Sequence, residues 1–313
     1  MWTGFAVFVV IAIAIDLWVM EKQGAHRVTA KEAVRWSLLW FSLAFVFVAL
    51  LWWYLDGNQG RSVANEVSMQ FITGYLVEKS LSVDNIFVFL MIFSYFAIPP
   101  EFQKRALIIG IIGAIVLRAI LILMGAWLLA HFHWLLYVFG AFLVFTGIKM
   151  WRAAGKEPDV AQNPVLRLLR TRMKITTKFD GEKMSTMING VKHYTPLLVV
   201  LILIGTTDVI FAVDSIPAIF AITEDPFIVL TANIFAILGL RALYFLLADL
   251  ADRFHLLAYG LALVLVFIGS KMLLLDVYKI NIGVALAVTA GIIATSMIAS
   301  LYTSRAEKSV EKK

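Results

Sequence analysis

Four carboxylates stand in stretches otherwise too apolar to carry them: Glu78 and Asp84 in one, Asp208 and Asp214 in another. In each stretch the two acids are six residues apart, and the second is followed by a polar residue, Asn85 or Ser215. An ionised side chain at the centre of a bilayer costs at least ~2.5 to 3.5 kcal/mol on insertion scales, so acids in such positions call for a purpose. All the candidate ligands are oxygens: the four carboxylates, the amide of Asn85, and the hydroxyls of Ser82, Thr206, Thr207 and Ser215. Such a set suits hard divalent cations such as Mg²⁺, Ca²⁺ and Mn²⁺. The chain has no cysteine, which excludes thiolate metal sites, iron-sulfur ligation, disulfides and cysteine catalysis. Glu78, Asp84, Asn85, Asp208, Asp214 and Ser215 are the predicted metal ligands.

A spacing of six places two residues about 120° apart around a helix and ~9 Å apart along it, so neither pair chelates one ion from an unbroken helix. Pro217 has no amide hydrogen and leaves the carbonyl of Val213 without its helical partner beside Asp214. Gly205, Thr206 and Thr207 loosen the same segment on the other side of Asp208. These residues predict a helix that unwinds or kinks between Gly205 and Pro217 and adds backbone carbonyls to the site. The competing arrangement is internal pairing of the acids with Lys79, Arg118 and Arg241, which also lie inside apolar runs. Asn233 is polar enough to join the site, and Asp16 is either an entrance group or a solvated helix end. Lys149 and Lys271, near helix ends, read as snorkelling to the interface, and His133 and His255 as helix-start capping groups.

The elements that carry these residues follow from composition. Of 313 residues, 61% are hydrophobic and 15% charged, and the mean hydropathy is +0.88. Soluble domains are closer to half apolar and a quarter charged, so a soluble fold is excluded. Apolar runs at 2–20, 37–55, 69–95, 106–126, 134–151, 195–221, 227–248, 254–275 and 280–302 predict about nine transmembrane helices in an all-α, polytopic, single membrane domain spanning 1–313. The first run lacks a basic start and a cleavage pattern, which predicts a retained helix. Counting alternate loops, 20 of the 27 basic residues fall on one face, against Arg61 and Lys279 on the other, with five inside runs. That asymmetry predicts an N-terminus outside and a C-terminus in the cytoplasm, and it accounts for the net charge of +6 without nucleic acid. The connection 152–194 then reads as a cytoplasmic linker. Within it Val165–Arg170 suit an amphipathic turn or a solvated basic linker equally, Phe179–Lys183 suit a turn, and tail residues 304–313 read as lacking structure.

Two segments of the chain match each other. At an offset of 122 residues, Phe132-His133 answers Phe254-His255 and Leu143-Val144-Phe145 answers Leu265-Val266-Phe267. Leu117-Arg118-Ala119 answers Leu240-Arg241-Ala242, and Val83-Asp84-Asn85-Ile86 answers Val213-Asp214-Ser215-Ile216. Helices three to five (69–151) and six to eight (195–275) are therefore predicted to be two copies of a three-helix unit. An odd number of spans per copy makes this an inverted 3+3 repeat, an arrangement typical of secondary transporters with midplane sites.

With these motifs in hand, the sequence resembles the TerC family of integral membrane proteins, in its Alx-like branch. The resemblance is carried by Glu78-Lys79-Ser80-Leu81-Ser82-Val83-Asp84-Asn85-Ile86-Phe87, by Asp208 through Ala218, and by Asn233 through Arg241, and it covers nearly the whole chain. It implies a bacterial inner-membrane protein related to the LysE-type exporter superfamily and associated with manganese efflux, in some members with tellurium resistance or an alkaline-pH response. It is the resemblance that singles out Mn²⁺ among hard cations. The family pattern commonly has an acid three residues before the aspartate at 208, where this chain has Gly205.

The expected function is export of a divalent cation by alternating access of the two repeats around the carboxylates. Protons are the candidate exchange partner, since nothing resembling a Walker motif points to ATP. No catalytic residue and no resident cofactor are expected, and the expected partners are the metal substrate and the bilayer. A homo-oligomer or a secretion or resistance protein is a further candidate partner. The alternative function is a membrane scaffold or metal-delivery partner for such proteins. Intramembrane aspartyl catalysis by Asp84 and Asp214 ranks last, because no protease motif accompanies them.

Overall fold

The computed structural model describes residues 1–23, 29–154, 160–248, 256–277 and 280–310, the side chains at 19–23, 30, 83, 84, 100, 301 and 304–310 excepted. Helices dominate: α1 (Trp2–Gln23), α2 (Ala30–Gln59), α3 (Arg61–Tyr95), α4 (Pro100–His131) and α5 (Leu135–Ala153) form the first part. A 3₁₀ turn (Val160–Gln162), α6 (Pro164–Arg172) and a hairpin of β1 (Ser185–Ile188) and β2 (Val191–Tyr194) make the connection. Then come α7 (Pro196–Phe220), α8 (Pro226–Leu238), α9 (Leu240–Ala248), α10 (Leu257–Leu273) and α11 (Ile282–Val310).

Helix starts are set by simple chemistry. Proline opens α4, α6, α7 and α8, where its missing amide hydrogen would have had no partner anyway. Asn163 and Asp225 cap α6 and α8 with side-chain oxygens that accept from Val165 N and Phe227 N at 2.9 and 2.8 Å.

Helix occupies most of the described part of each of the nine apolar runs. By length and composition, five helices qualify as membrane spans among the described residues, namely α2, α4, α5, α7 and α11. The pair α8–α9, bent through 42° at Gly239, makes a sixth if taken as one span. The described apolar stretch of α1 (Trp2–Trp18) and α10 are apolar but shorter. The longest helix, α3, carries Glu66, Glu78, Lys79 and Asp84 and does not qualify on composition.

Two local expectations are corrected. First, α7 runs unbroken from Pro196 to Phe220. Pro217 stands one turn from its end, so a single lost hydrogen bond does not interrupt it. The hydroxyls of Thr206 and Thr207 donate back to the carbonyls of Ile202 and Leu203 at 2.6 and 2.7 Å. The bend lies in the neighbouring pair α8–α9 instead. Second, α11 continues through Val310, because 304–310 contains neither proline nor glycine to stop it; 311–313 fall outside the described residues. The turn read at Phe179–Lys183 is present, with Lys183 N donating to the Asp180 carbonyl at 3.1 Å, and the hairpin itself reverses at Asn189-Gly190, both at positive φ (50° and 76°), with Ile188 paired to Val191. Gly181, in the segment read as the turn, also has positive φ but precedes the strands.

The pair α5–α10 is the closest helix contact. A Cβ added at Gly269 would lie 2.7 Å from the carbonyl oxygen of Gly140, and one at Gly147 would lie 2.8 Å from that of Ala262. As the α5 position rises from 140 to 147 the α10 partner falls from 269 to 262, so the helices are antiparallel. At one end Tyr137 donates its hydroxyl to the Asp276 carboxylate. At the other, Tyr259 donates to the carbonyl of Ala154 at 3.2 Å.

Candidate functional site at the helix midpoints

Glu78 stands midway along α3 and Asp208 midway along α7, and both are buried. Between them lies Arg118 of α4, whose side chain is 1% exposed. Its guanidinium forks onto Asp208, from Nη2 to Oδ1 at 3.0 Å and from Nε to Oδ2 at 3.4 Å. Nη1 donates to Glu78 Oε1, to Asn233 Oδ1 of α8 at 2.9 Å, and to Ser215 Oγ of α7 at 3.5 Å. One cation therefore joins four helices, and two carboxylates share a single positive charge. A planar fork with five donors suits this arrangement, and isolated acids at this depth would be far costlier.

The cluster is not fully paired. Glu78 Oε2 and Ser82 Oγ are buried and have no hydrogen-bond partner among the described residues. Ser82 lies four residues after Glu78, hence on the same face of α3. These two oxygens, with Asp208 and Asn233, are the acceptors that a hard cation could engage if Arg118 moved aside.

The other predicted ligands are dispersed. Asn85 is buried in α3. Asp84 belongs to α3, but its side chain lies outside the described residues. Asp214 turns to α5, where Thr146 and Lys149 are its neighbours. Lys149 thus has a carboxylate beside it as well as an exposed position, and Lys271 donates to the carbonyl of Ala221 at 3.4 Å. Val213 exposes its side chain to the bundle surface. Arg241, the repeat counterpart of Arg118, pairs with Asp16 of α1 and not with the cluster. His255 lies outside the described residues, and His133 sits in the turn before α5. No group of three or more His, Asp or Glu side chains placed to hold one metal ion occurs among the described residues.

Lys79 does something that the sequence did not suggest. Its ammonium donates to the carbonyl of Ala236 at 3.0 Å, in the last turn of α8 before the bend, and lies over the ring of Phe41. Gly239 in the bend is what admits it, since a Cβ there would come within 2.6 Å of Lys79 Nζ. At Gly205, by contrast, an added Cβ would meet nothing within 4 Å, so the position one turn before Asp208 has room for a side chain.

The model of the integral membrane protein TerC family matches residues 63–308, well over half of the chain. The chain belongs to the TerC family. Among its relatives is a protein of Escherichia coli (strain K12), named Alx and provisionally described as a membrane-bound redox modulator, 53% identical over 97% of this chain and 95% of its own length. An uncharacterized membrane protein of Myxococcus xanthus is 50% identical over 97% of this chain and 93% of its own. One of Rickettsia felis is 40% identical over 96% and 97%. No solved structure matches. The TerC match contains every member of the Arg118 cluster, from Glu78 to Asn233, whereas α1 with Asp16 precedes it.

Proposed function

We propose that this TerC protein is a secondary transporter that exports a divalent cation, Mn²⁺ first among hard cations, by alternating access through the midplane cluster. The observation that carries the reading is the Arg118 cluster itself. Glu78 and Asp208, counterparts in the two sequence copies, meet on one guanidinium at mid-depth, and one carboxylate oxygen is left unpartnered. In this reading Arg118 compensates the acids in the absence of cargo, and an entering divalent cation takes over that role with Asn233, Ser215 and Ser82 as further oxygens. Carboxylates that give up Arg118 and cation together take protons, which supplies the exchange that export against a membrane potential needs.

About nine spans containing an inverted 3+3 repeat go with this proposal, with the N-terminus outside, the C-terminus in the cytoplasm of a bacterial inner membrane, and kinship to the LysE-type exporters. The α5–α10 contacts support it. Gly140 meets Gly269, the counterpart of Gly147, while Gly147 meets Ala262, the counterpart of Gly140. Tyr137 reaches Asp276, and its counterpart Tyr259 reaches Ala154, the counterpart of Asp276. Contacts that exchange partners in this way are what a twofold axis between two copies produces.

The test is reconstitution into liposomes with an Mn²⁺-sensitive dye inside. Influx driven by a pH gradient is expected, reduced at least tenfold by Asp208→Asn and by Glu78→Gln. Absence of flux under either polarity of gradient would refute transport. The second reading is a metal-delivery or scaffold role, favoured by the redox-modulator description of the relatives. With no cysteine, this chain has no thiol of its own for redox exchange, and in this second reading a metal or a partner carries that chemistry. Stable co-purification of a secreted or resistance protein, with no flux, would support that reading.

A further inference from the structure

The connection between α5 and α7 sits directly on helix ends. Arg105 at the start of α4 pairs with Glu182, Phe102 packs on Phe179 with ring centroids 6.1 Å apart, and Arg170 donates to the Tyr95 hydroxyl at the end of α3 at 3.1 Å. α6 packs on α7 and buries its Leu166, and β2 ends at Tyr194, two residues before α7 begins. The connection is therefore held at the level where α3 leaves the bundle and α4 and α7 enter it.

Its outward surface pairs exposed apolar side chains with unbalanced positive charge. Leu168 of α6 is 56% exposed and Met187 at the hairpin tip 65%, with Ile188 and Val191 beside it. Residues 160–195 contain seven lysines and arginines against two acids, Asp180 and Glu182. Both acids are already engaged, by Lys183 and Arg105. Hydrogen bonds from Thr186 and Lys183 hold the Asp180 carboxyl below its ordinary value, so it remains charged and committed to that contact. Arg167, Arg172, Lys174, Lys178 and Lys192 have no acidic partner among the described residues.

From this juxtaposition we infer that α6 and the β1–β2 hairpin form a collar that binds the anionic phospholipid headgroups of the leaflet surrounding these helix ends. The apolar tips enter the headgroup boundary and the basic residues neutralise phosphates there, the combination that fixes interfacial segments to anionic surfaces. Lipid, rather than an acidic protein, fits the height of the collar, because its anchors are the ends of the membrane helices themselves. The inference is independent of what the protein transports.

The absence of cysteine makes a clean probe available. The full chain carrying Ile188→Cys, labelled with an environment-sensitive fluorophore, is reconstituted in phosphatidylcholine vesicles and in vesicles also containing phosphatidylglycerol. The label is expected to shift to the blue and to be quenched by a spin-labelled headgroup in the anionic vesicles, several-fold more than in phosphatidylcholine. High salt should reverse the effect, since at 1 M the screening length falls to about 3 Å. The variant Arg167→Gln/Arg172→Gln/Lys192→Gln, all at exposed positions, should remain folded by its unfolding temperature yet keep a water-like label in both vesicles. A label equally water-like in both lipids with the native charges intact would overturn the inference. So would a shift that appears only when a soluble acidic protein is added.

Discussion

Arg118 is the residue on which the core depends, because its guanidinium engages two buried carboxylates at once. A lysine is a point charge and cannot bridge Asp208 in the same way. Arg118→Lys is therefore expected to behave as a damaging change, and Arg118→Met, which leaves both acids uncompensated, to cost about 3 to 5 kcal/mol. Unfolding in detergent followed by tryptophan fluorescence should show the loss, and adding Asp208→Asn to Arg118→Met should recover part of it. The acids themselves were legible in the sequence, since a charge within an apolar run is expensive wherever the helix points. Their partners were not. Which face of α4 meets α3 and α7 is decided by packing among many similar apolar side chains, and the 120° between Asp208 and Asp214 sends one to Arg118 and the other toward α5.

At the scale of elements, the bend at Gly239 leaves carbonyls at the end of α8 that need donors, and Lys79 supplies one. Gly239→Ala would push a methyl group to 2.6 Å from the ammonium and 3.1 Å from Trp40 Cβ. The expected result is a loss of about 1 to 3 kcal/mol, the range for a buried polar group left without its partner. Lys79→Met should lose a similar amount, and the double variant should lose less than the sum, which thermal unfolding of the three variants would reveal. Helix positions were legible because apolar length announces them. The location of the bend was not, because Pro217 is a strong breaker only away from a helix end, while Gly239 looks like one more small residue until Lys79 and Trp40 close on it. The hairpin had a legible signal in Asn189-Gly190, a dipeptide suited to positive φ at both positions, which the turn-like Phe179–Lys183 segment overshadowed.

At the scale of the whole molecule, the α5–α10 pair joins the two halves of the chain through bare backbone. A methyl group at Gly269 would meet Gly140's carbonyl oxygen at 2.7 Å, so Gly269→Ala is expected to cost about 1 to 3 kcal/mol as an overpacked contact. Gly4→Ala, with nothing within 4 Å, should be neutral in the same unfolding measurement. The internal sequence match was visible through polar landmarks such as Arg118 with Arg241 and His133 with His255, but such landmarks do not reveal adjacency. That α5 and α10 are the helices to clasp each other emerges only in three dimensions. The clasp is also uneven. Tyr137 ends on a carboxylate and Tyr259 on a neutral carbonyl, and a charged acceptor grips a hydroxyl harder than a neutral one does. The joint thus has a strong and a weak mouth, a built-in polarity that gives the pair a preferred end at which to part.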